Sequence, residues 1–318
     1  MRVAVIGAGA IARPHVAAWT SLGAHVRIHS SHGASALARA YGGTAVDTLE
    51  ECLDGVEVVD VCTPTPTHAP IVLAAAARRL HVVCEKPLAL DHRTAAGLID
   101  ACRDAGVRLF PGHVVRYFPA YAAAHRLVTE QGTVGRVAVT RLSRTTMTPS
   151  APWLTDPARS GGVLVDQMIH DFDFARWIAG PVVDVFARLT GGPPWTGHAL
   201  LRHESGALTQ VTGQWGRPGT AFRTSFAIRG SSGGLDHDSR DTAPLRWEPE
   251  PPADALLPAF DATGSPFRAE LADFVTALRT GAPARVTPED SLAALDVALA
   301  AVRSVRENRP VDPKEVAA

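Results

Sequence analysis

An apolar run over residues 3–6 passes without a break into Gly7-Ala8-Gly9-Ala10-Ile11-Ala12, and an Ala-rich helical stretch follows at once. A strand, then G-x-G-x-x-A, then a helix leaves few folds open. Gly7 supplies the tight turn, Gly9 removes a side chain where backbone must approach a pyrophosphate, and Ala12 lets the helix pack closely. The unpaired N–H groups and partial positive charge of a helix amino end complete an anion cradle. Gly7, Gly9, Ala10 and Ile11 are therefore expected to bind a dinucleotide. The same opening, Met1-Arg2 before an apolar stretch, superficially resembles a secretory signal, but the glycines fall where a turn needs them.

The alternation continues. Short apolar runs at 25–29, 58–61, 81–84 and 108–110 are separated by helical stretches at 11–22, 34–41, 69–79 and 94–105. Residues 1–115 are expected to form an α/β domain of the Rossmann type, with a doubly wound parallel sheet. After Pro119 a helix to about residue 130 leads into strict two-residue alternation: Phe222, Thr224, Phe226 and Ile228 share one face, as do Val183, Val185, Ala187 and Leu189. Consecutive strands without helices between them predict an open, mainly antiparallel sheet. Helical stripes of Phe267, Leu271, Phe274, Val275 and Leu278, and of Leu292, Leu295, Leu299 and Val302, close the chain. Residues 116–318 are expected to form an α+β domain, with loops over 230–258.

Thirty-one basic against thirty-two acidic residues leave a net charge of −1, with no block of like charge to track nucleic acid or an anionic lipid surface. The apolar run at 71–77 is far shorter than the ~20 residues that span a bilayer. Four scattered cysteines without C-x-x-C spacing are expected to be reduced thiols of a cytoplasmic protein. None of the thirteen histidines forms H-x-x-x-H on a helix, so no metal is expected.

The second strand ends in Ile28-His29-Ser30-Ser31-His32, where a carboxylate for the ribose 2′-hydroxyl of NAD would stand ~20 residues beyond the glycines. Hydroxyls at Ser30 and Ser31, with Arg27, His29, His32 or Arg39 nearby, better tolerate a 2′-phosphate, so NADP is expected over NAD. Glu85-Lys86-Pro87 places a lysine at the carboxyl end of a strand, where α/β sheets bind ligands. Such a lysine either stabilises a developing alkoxide or is simply solvated. Asp166 and His170, four apart in Gly161-Gly162-Val163-Leu164-Val165-Asp166-Gln167-Met168-Ile169-His170-Asp171, share a helix face as an acid–base pair or as a structural ion pair.

These motifs together resemble the glucose-fructose oxidoreductase, inositol dehydrogenase and rhizopine-catabolism (Gfo/Idh/MocA) family over nearly the whole chain. The likeness rests on Gly7-Ala8-Gly9, Cys62-Thr63-Pro64-Thr65-Pro66-Thr67-His68, Glu85-Lys86-Pro87 and residues 161–177. Ile169-His170-Asp171-Phe172-Asp173 looks particularly like inositol dehydrogenases. The resemblance implies catalysis by Lys86, Asp166 and His170, with Thr63, Pro64, His68, Glu85 and Lys86 at the cofactor. It also implies hydride transfer between a nicotinamide and a secondary alcohol of a sugar or cyclic polyol, by a homodimer or homotetramer in which residues 116–318 bind substrate and mediate oligomerisation. The alternatives are a cofactor-retaining sugar epimerase or eliminase, and a dinucleotide-sensing regulatory protein. The segment Gly112-His113-Val114-Val115-Arg116-Tyr117 departs from relatives, which often carry Asn near His113 and a second Arg or Phe after Arg116. His113, Arg116 and Trp153 are expected at the substrate, alongside Lys86, Asp166 and His170. Their rivals are a buried imidazole, an interdomain ion pair and a core aromatic, while His68 has a helix cap as its rival.

Overall fold

In the computed structural model, which describes residues 1–192, 195–241 and 264–317, β1 (Arg2–Ile6) is buried along residues 3–6. A strand apolar on both faces belongs inside a parallel sheet covered by helices. The chain continues through α1 (Ala12–Ser21), β2 (His25–His29), α2 (Ala34–Tyr41), β3 (Thr44–Ala45), α3 (Leu49–Leu53), β4 (Val58–Val61), α4 (His68–Ala77), β5 (His81–Glu85), α5 (His92–Asp104) and β6 (Leu109–Gly112). All six strands run parallel, in the order β3-β2-β1-β4-β5-β6. The order reverses between β1 and β4, the position at which such sheets open a ligand crevice at their carboxyl ends. β3 is only two residues long and is absent from the sequence reading, as is α3. A signal for α3 was present: Thr48 and Glu51 make reciprocal capping bonds at its start.

Next come α6 (Pro119–His125), continued by a π-turn over Arg126–Glu130, then β7 (Val137–Met147), α7 (Pro152–Thr155) and α8 (Pro157–Ser160). A second π-turn, Val163–Gln167, leads into α9 (Ile169–Ala179). β8 (Val182–Leu189), β9 (Trp195–His203), β10 (Leu208–Gly216), β11 (Arg223–Gly230) and β12 (Gly234–Asp238) follow. With β7 they form an open six-stranded sheet ordered β12-β11-β7-β10-β9-β8, antiparallel except between β7 and β10. Met168 lies close over this sheet because β9 and β10 carry glycine beneath it. A Cβ on Gly197 would stand 2.6 Å from Met168 Sδ, and one on Gly213 would overlap the same side chain.

The chain ends in α10 (Pro266–Thr280), α11 (Pro288–Glu307) and α12 (Lys314–Ala317). Met1–Tyr117 and residues 264–292 form one compact unit; residues 118–241 and 293–317 form the other. This corrects the assignment of everything after 115 to the second domain. The α10 stripe serves the first unit, where Phe267 meets His15 with ring centroids 5.5 Å apart and Phe274 stacks on Phe110 at 4.8 Å. Periodicity shows that a face is buried, not which core buries it.

Three smaller expectations are also corrected. On α11 the buried face holds Ala294, Leu295, Val297, Ala298 and Ala301, while Val302 is exposed, because small residues let that helix pack closely. A bulge at Val182/Asp184 turns Val182 inward with Val185 and Ala187, and Leu189, the last residue of β8, is exposed. Within the expected loop, β12 pairs with β11; residues 242–258 lie outside the described residues.

Candidate active site

In the first unit, Gly7 adopts φ +113°, and a Cβ there would stand 2.5 Å from the Cys62 carbonyl oxygen. Only glycine fits where the β1 turn crosses the end of β4. Around Gly9 the opposite holds: an added Cβ meets nothing within 4 Å among the described residues. The amino end of α1 follows directly and carries no side-chain cap; its first N–H, that of Ala12, donates to the Gly9 carbonyl at 3.2 Å. A close turn, an open glycine and an uncapped helix end fit the pyrophosphate of a dinucleotide. Ala10 and Ile11 complete the turn, and Thr63 and Pro64 follow β4 beside it, both partly exposed.

Ser30 and Ser31 follow β2, Ser31 exposed with the His32 ring 3.0 Å from its hydroxyl. Arg27 does not join them; its guanidinium donates to the carbonyls of Glu51 and Asp54 at 2.8 and 2.7 Å. His68 is buried, with its ring nitrogens 2.9 Å from the Thr63 carbonyl and 3.0 Å from that of Pro87. It ties the loops after β4 and β5 together rather than capping α4. Lys86 follows β5 and is partly exposed.

Behind Lys86 lies a polar cluster that the sequence reading missed. His15 Nδ1 is 2.8 Å from Asp60 Oδ2, and its Nε2 is 3.0 Å from Glu85 Oε1. Trp19 donates to the same Asp60 oxygen at 2.6 Å. Burial alone would lower the imidazole pKa, but the Asp60 charge and hydrogen bond prevail and hold it well above its ordinary value. Glu270 on α10 is fully buried nearby, and burial, with Glu85 adding repulsion, pushes its carboxyl well above the usual range. A signal existed in Val58-Val59-Asp60-Val61, an acid inside an otherwise apolar strand. Burial pushes the Cys52 thiol up to about 12, so it is not a nucleophile at neutral pH.

His113 and Arg116 do not open to a substrate. His113 is fully buried, 2.9 Å from the Ser291 hydroxyl. Arg116 is 2% exposed and donates to Asp290 Oδ2 and the Arg285 carbonyl, each at 3.0 Å. All of these residues belong to the first unit, so the ion pair is not interdomain.

In the second unit, Asp166 lies in the π-turn and His170 in the first turn of α9, both partly exposed. Such turns recur at functional sites. Asp171, next to His170, is held by Arg144 of β7. Gln167 anchors the turn by donating to the Arg144 and Gln214 carbonyls at 3.0 and 3.2 Å. Trp153 is half-buried in α7.

Two family models match the chain: "Oxidoreductase family, NAD-binding Rossmann fold" over residues 1–113 and "GFO/IDH/MocA C-terminal domain" over residues 121–236. The myo-inositol 2-dehydrogenase of Thermotoga maritima is 32% identical over 82% of this chain and 81% of its own length. The D-xylose 1-dehydrogenase (NADP(+)) 2 of Haloferax volcanii is 31% identical over 82% and 83%. Among solved structures, GenD2 from gentamicin A biosynthesis in complex with NAD superposes with a TM-score of 0.85 at 27% identity, covering 98% of this chain and 96% of that one. With its parallel sheet, glycine turn and mixed second sheet, this chain is an oxidoreductase with a Rossmann fold of the NAD-binding type and belongs to the Gfo/Idh/MocA family.

Proposed function

We propose that the protein transfers a hydride between a nicotinamide dinucleotide and a secondary alcohol of a sugar or cyclic polyol. One observation carries this reading: the Gly7–Gly9 turn after β1 and Lys86 after β5 stand at the same carboxyl edge of one parallel sheet, two strands apart. Relatives named as inositol and xylose dehydrogenases support the substrate class.

When bound, the nicotinamide takes up or releases the hydride. In the oxidative direction, His170 takes the hydroxyl proton as the carbon gives up hydride. Lys86 stabilises negative charge on that oxygen, and Asp166 orients the hydroxyl or the imidazole. Gly7, Gly9, Ala10 and Ile11 receive the pyrophosphate, with Thr63, Pro64 and Glu85 beside the dinucleotide. Ser30 and Ser31 accept a 2′-phosphate, which favours NADP. The protein works in the cytoplasm with its four cysteines as free thiols. It assembles as a homo-oligomer through the sheet face that leaves Val139, Leu200 and Leu208 exposed.

The test is net NADPH or NADH formation with a panel of polyols and aldoses, which also separates this activity from a cofactor-retaining epimerase. Lys86→Ala and His170→Ala are each expected to lower kcat ~10²-fold or more while the dinucleotide still binds. Full turnover in either variant refutes the assigned roles.

A further inference from the structure

Four ionisable side chains from four segments of the first unit meet beneath the lysine edge: His15 of α1, Asp60 of β4, Glu85 of β5 and Glu270 of α10. His15, Asp60 and Glu270 are fully buried, and Glu85 is 5% exposed. A charged cluster of this kind is a poor device for stability, since well-packed apolar residues in place of a buried ion pair are often neutral or stabilising. Its geometry has a clearer use. His15 lies in the opening turn of α1, the helix whose amino end follows the open Gly9 turn. Its two ring nitrogens reach Asp60 on one side and Glu85 on the other, at 2.8 and 3.0 Å. The second Glu85 oxygen accepts the backbone N–H of Lys86 at 3.2 Å. Gly112 of β6 leaves room for this carboxylate; a Cβ there would stand 2.9 Å from Glu85 Oε1. Trp19 fixes the far end of the chain through Asp60.

We propose that His15 is a positioning residue: through Asp60 and Glu85 it locks the Glu85–Lys86 step of β5 to the phosphate-facing end of α1. The groups facing its ring are Asp60 and Cys62 from the β4 side, Glu85 from β5, and Glu270 with the Phe267 ring from α10. A doubly bonded imidazolium holds Glu85 in one rotamer and so fixes the backbone from which the lysine projects. The inference rests on the proposed role of Lys86 in hydride transfer, but its geometric part is measurable without turnover.

The sequence itself provides the probe. Lys86 and Lys314 are the only two lysines in the chain, and Lys314 is exposed on α12. Competitive acetylation with acetic anhydride, read by mass spectrometry, gives the reactivity of Lys86 with Lys314 as internal reference. His15→Asn, whose amide is too short to bridge both carboxylates, is expected to change the Lys86:Lys314 labelling ratio at least ~threefold and lower kcat at least ~tenfold. The alcohol KM and the NADPH dissociation constant are expected to stay within about threefold. His15→Gln, whose longer amide reaches Glu85, is expected to restore part of the labelling ratio. A role confined to stability lowers the melting temperature but leaves the labelling ratio and kcat of the folded variant unchanged, and that result overturns the proposal. If His15→Asn does not fold, Glu85→Gln is expected to change the ratio in the same way, and an unchanged ratio there overturns it equally. If the wild type oxidises no alcohol, the functional reading fails, while the labelling ratio still decides whether His15 positions Lys86.

Discussion

Arg144 on β7 grips Asp171 on α9 with a two-pronged bond, Nε to Oδ2 at 3.1 Å and Nη2 to Oδ1 at 3.0 Å, and both side chains are buried. Asp171 follows His170 directly, so this fork fixes the helix turn that carries the imidazole. Arg144→Met and Asp171→Leu are each expected to destabilise the protein by about 3–5 kcal/mol, because each strands a buried charge. The double variant is expected to lose less than either single one. Urea unfolding measures all three, and additive losses contradict the pairing.

Gly7 and Gly9 are expected to respond differently to the same methyl group. Gly7→Ala forces a Cβ against the Cys62 carbonyl at φ +113°, so it disrupts the fold itself. Gly9→Ala adds a methyl where nothing stands within 4 Å, so the melting temperature is expected to hold. Dinucleotide binding, measured by NADPH fluorescence, is expected to weaken at least ~tenfold in Gly9→Ala, because the methyl occupies the space the pyrophosphate needs.

Ser31 stands exposed after β2, with no carboxylate among residues 28–32. A carboxylate there accepts hydrogen bonds from ribose hydroxyls and repels a 2′-phosphate. Ser31→Asp is expected to shift the ratio of NADP to NAD dissociation constants at least ~tenfold toward NAD. A wild type that already binds NAD more tightly overturns the NADP assignment.

Glu270 is held well above its ordinary pKa by burial, with Glu85 adding repulsion. Because the folded value exceeds the unfolded one, the unfolded chain releases this proton first. Stability from this group is therefore full below about pH 4.3 and falls as pH rises toward the folded pKa. His15, also raised, adds a decline of the same sign above about pH 6.5. Glu270→Gln is expected to remove a slope of up to about 1.4 kcal/mol per pH unit beginning near the ordinary glutamate value. Urea unfolding at several pH values reads this directly, and parallel wild-type and variant curves contradict it.

Much of the architecture was legible in short segments because the causes are local. A four-residue apolar run, a glycine forced into positive φ and an Ala-rich helix fix β1, the Gly7 turn and α1 within about twenty residues. Two-residue alternation likewise marked Thr224, Phe226 and Ile228 as one buried face of β11. Along α11 the leucine spacing marks Leu295 as buried but not the rest of the packed face, which is built largely from alanines that carry little hydrophobic signal. β3 is too short for any period to show.

The residues by themselves determined the strand–turn–helix cradle, the succession of parallel and then mostly antiparallel strands, and the presence of a lysine after β5. Only the tertiary structure decided what the polar side chains bond. His113 and Arg116 turn inward to Ser291 and Asp290, and α10 joins the first unit. His15 meets Asp60 and Glu85 across 45 and 70 residues of chain. A hydrophobic pattern is written into neighbouring positions, whereas a buried charge takes its meaning from a partner that only folding brings near.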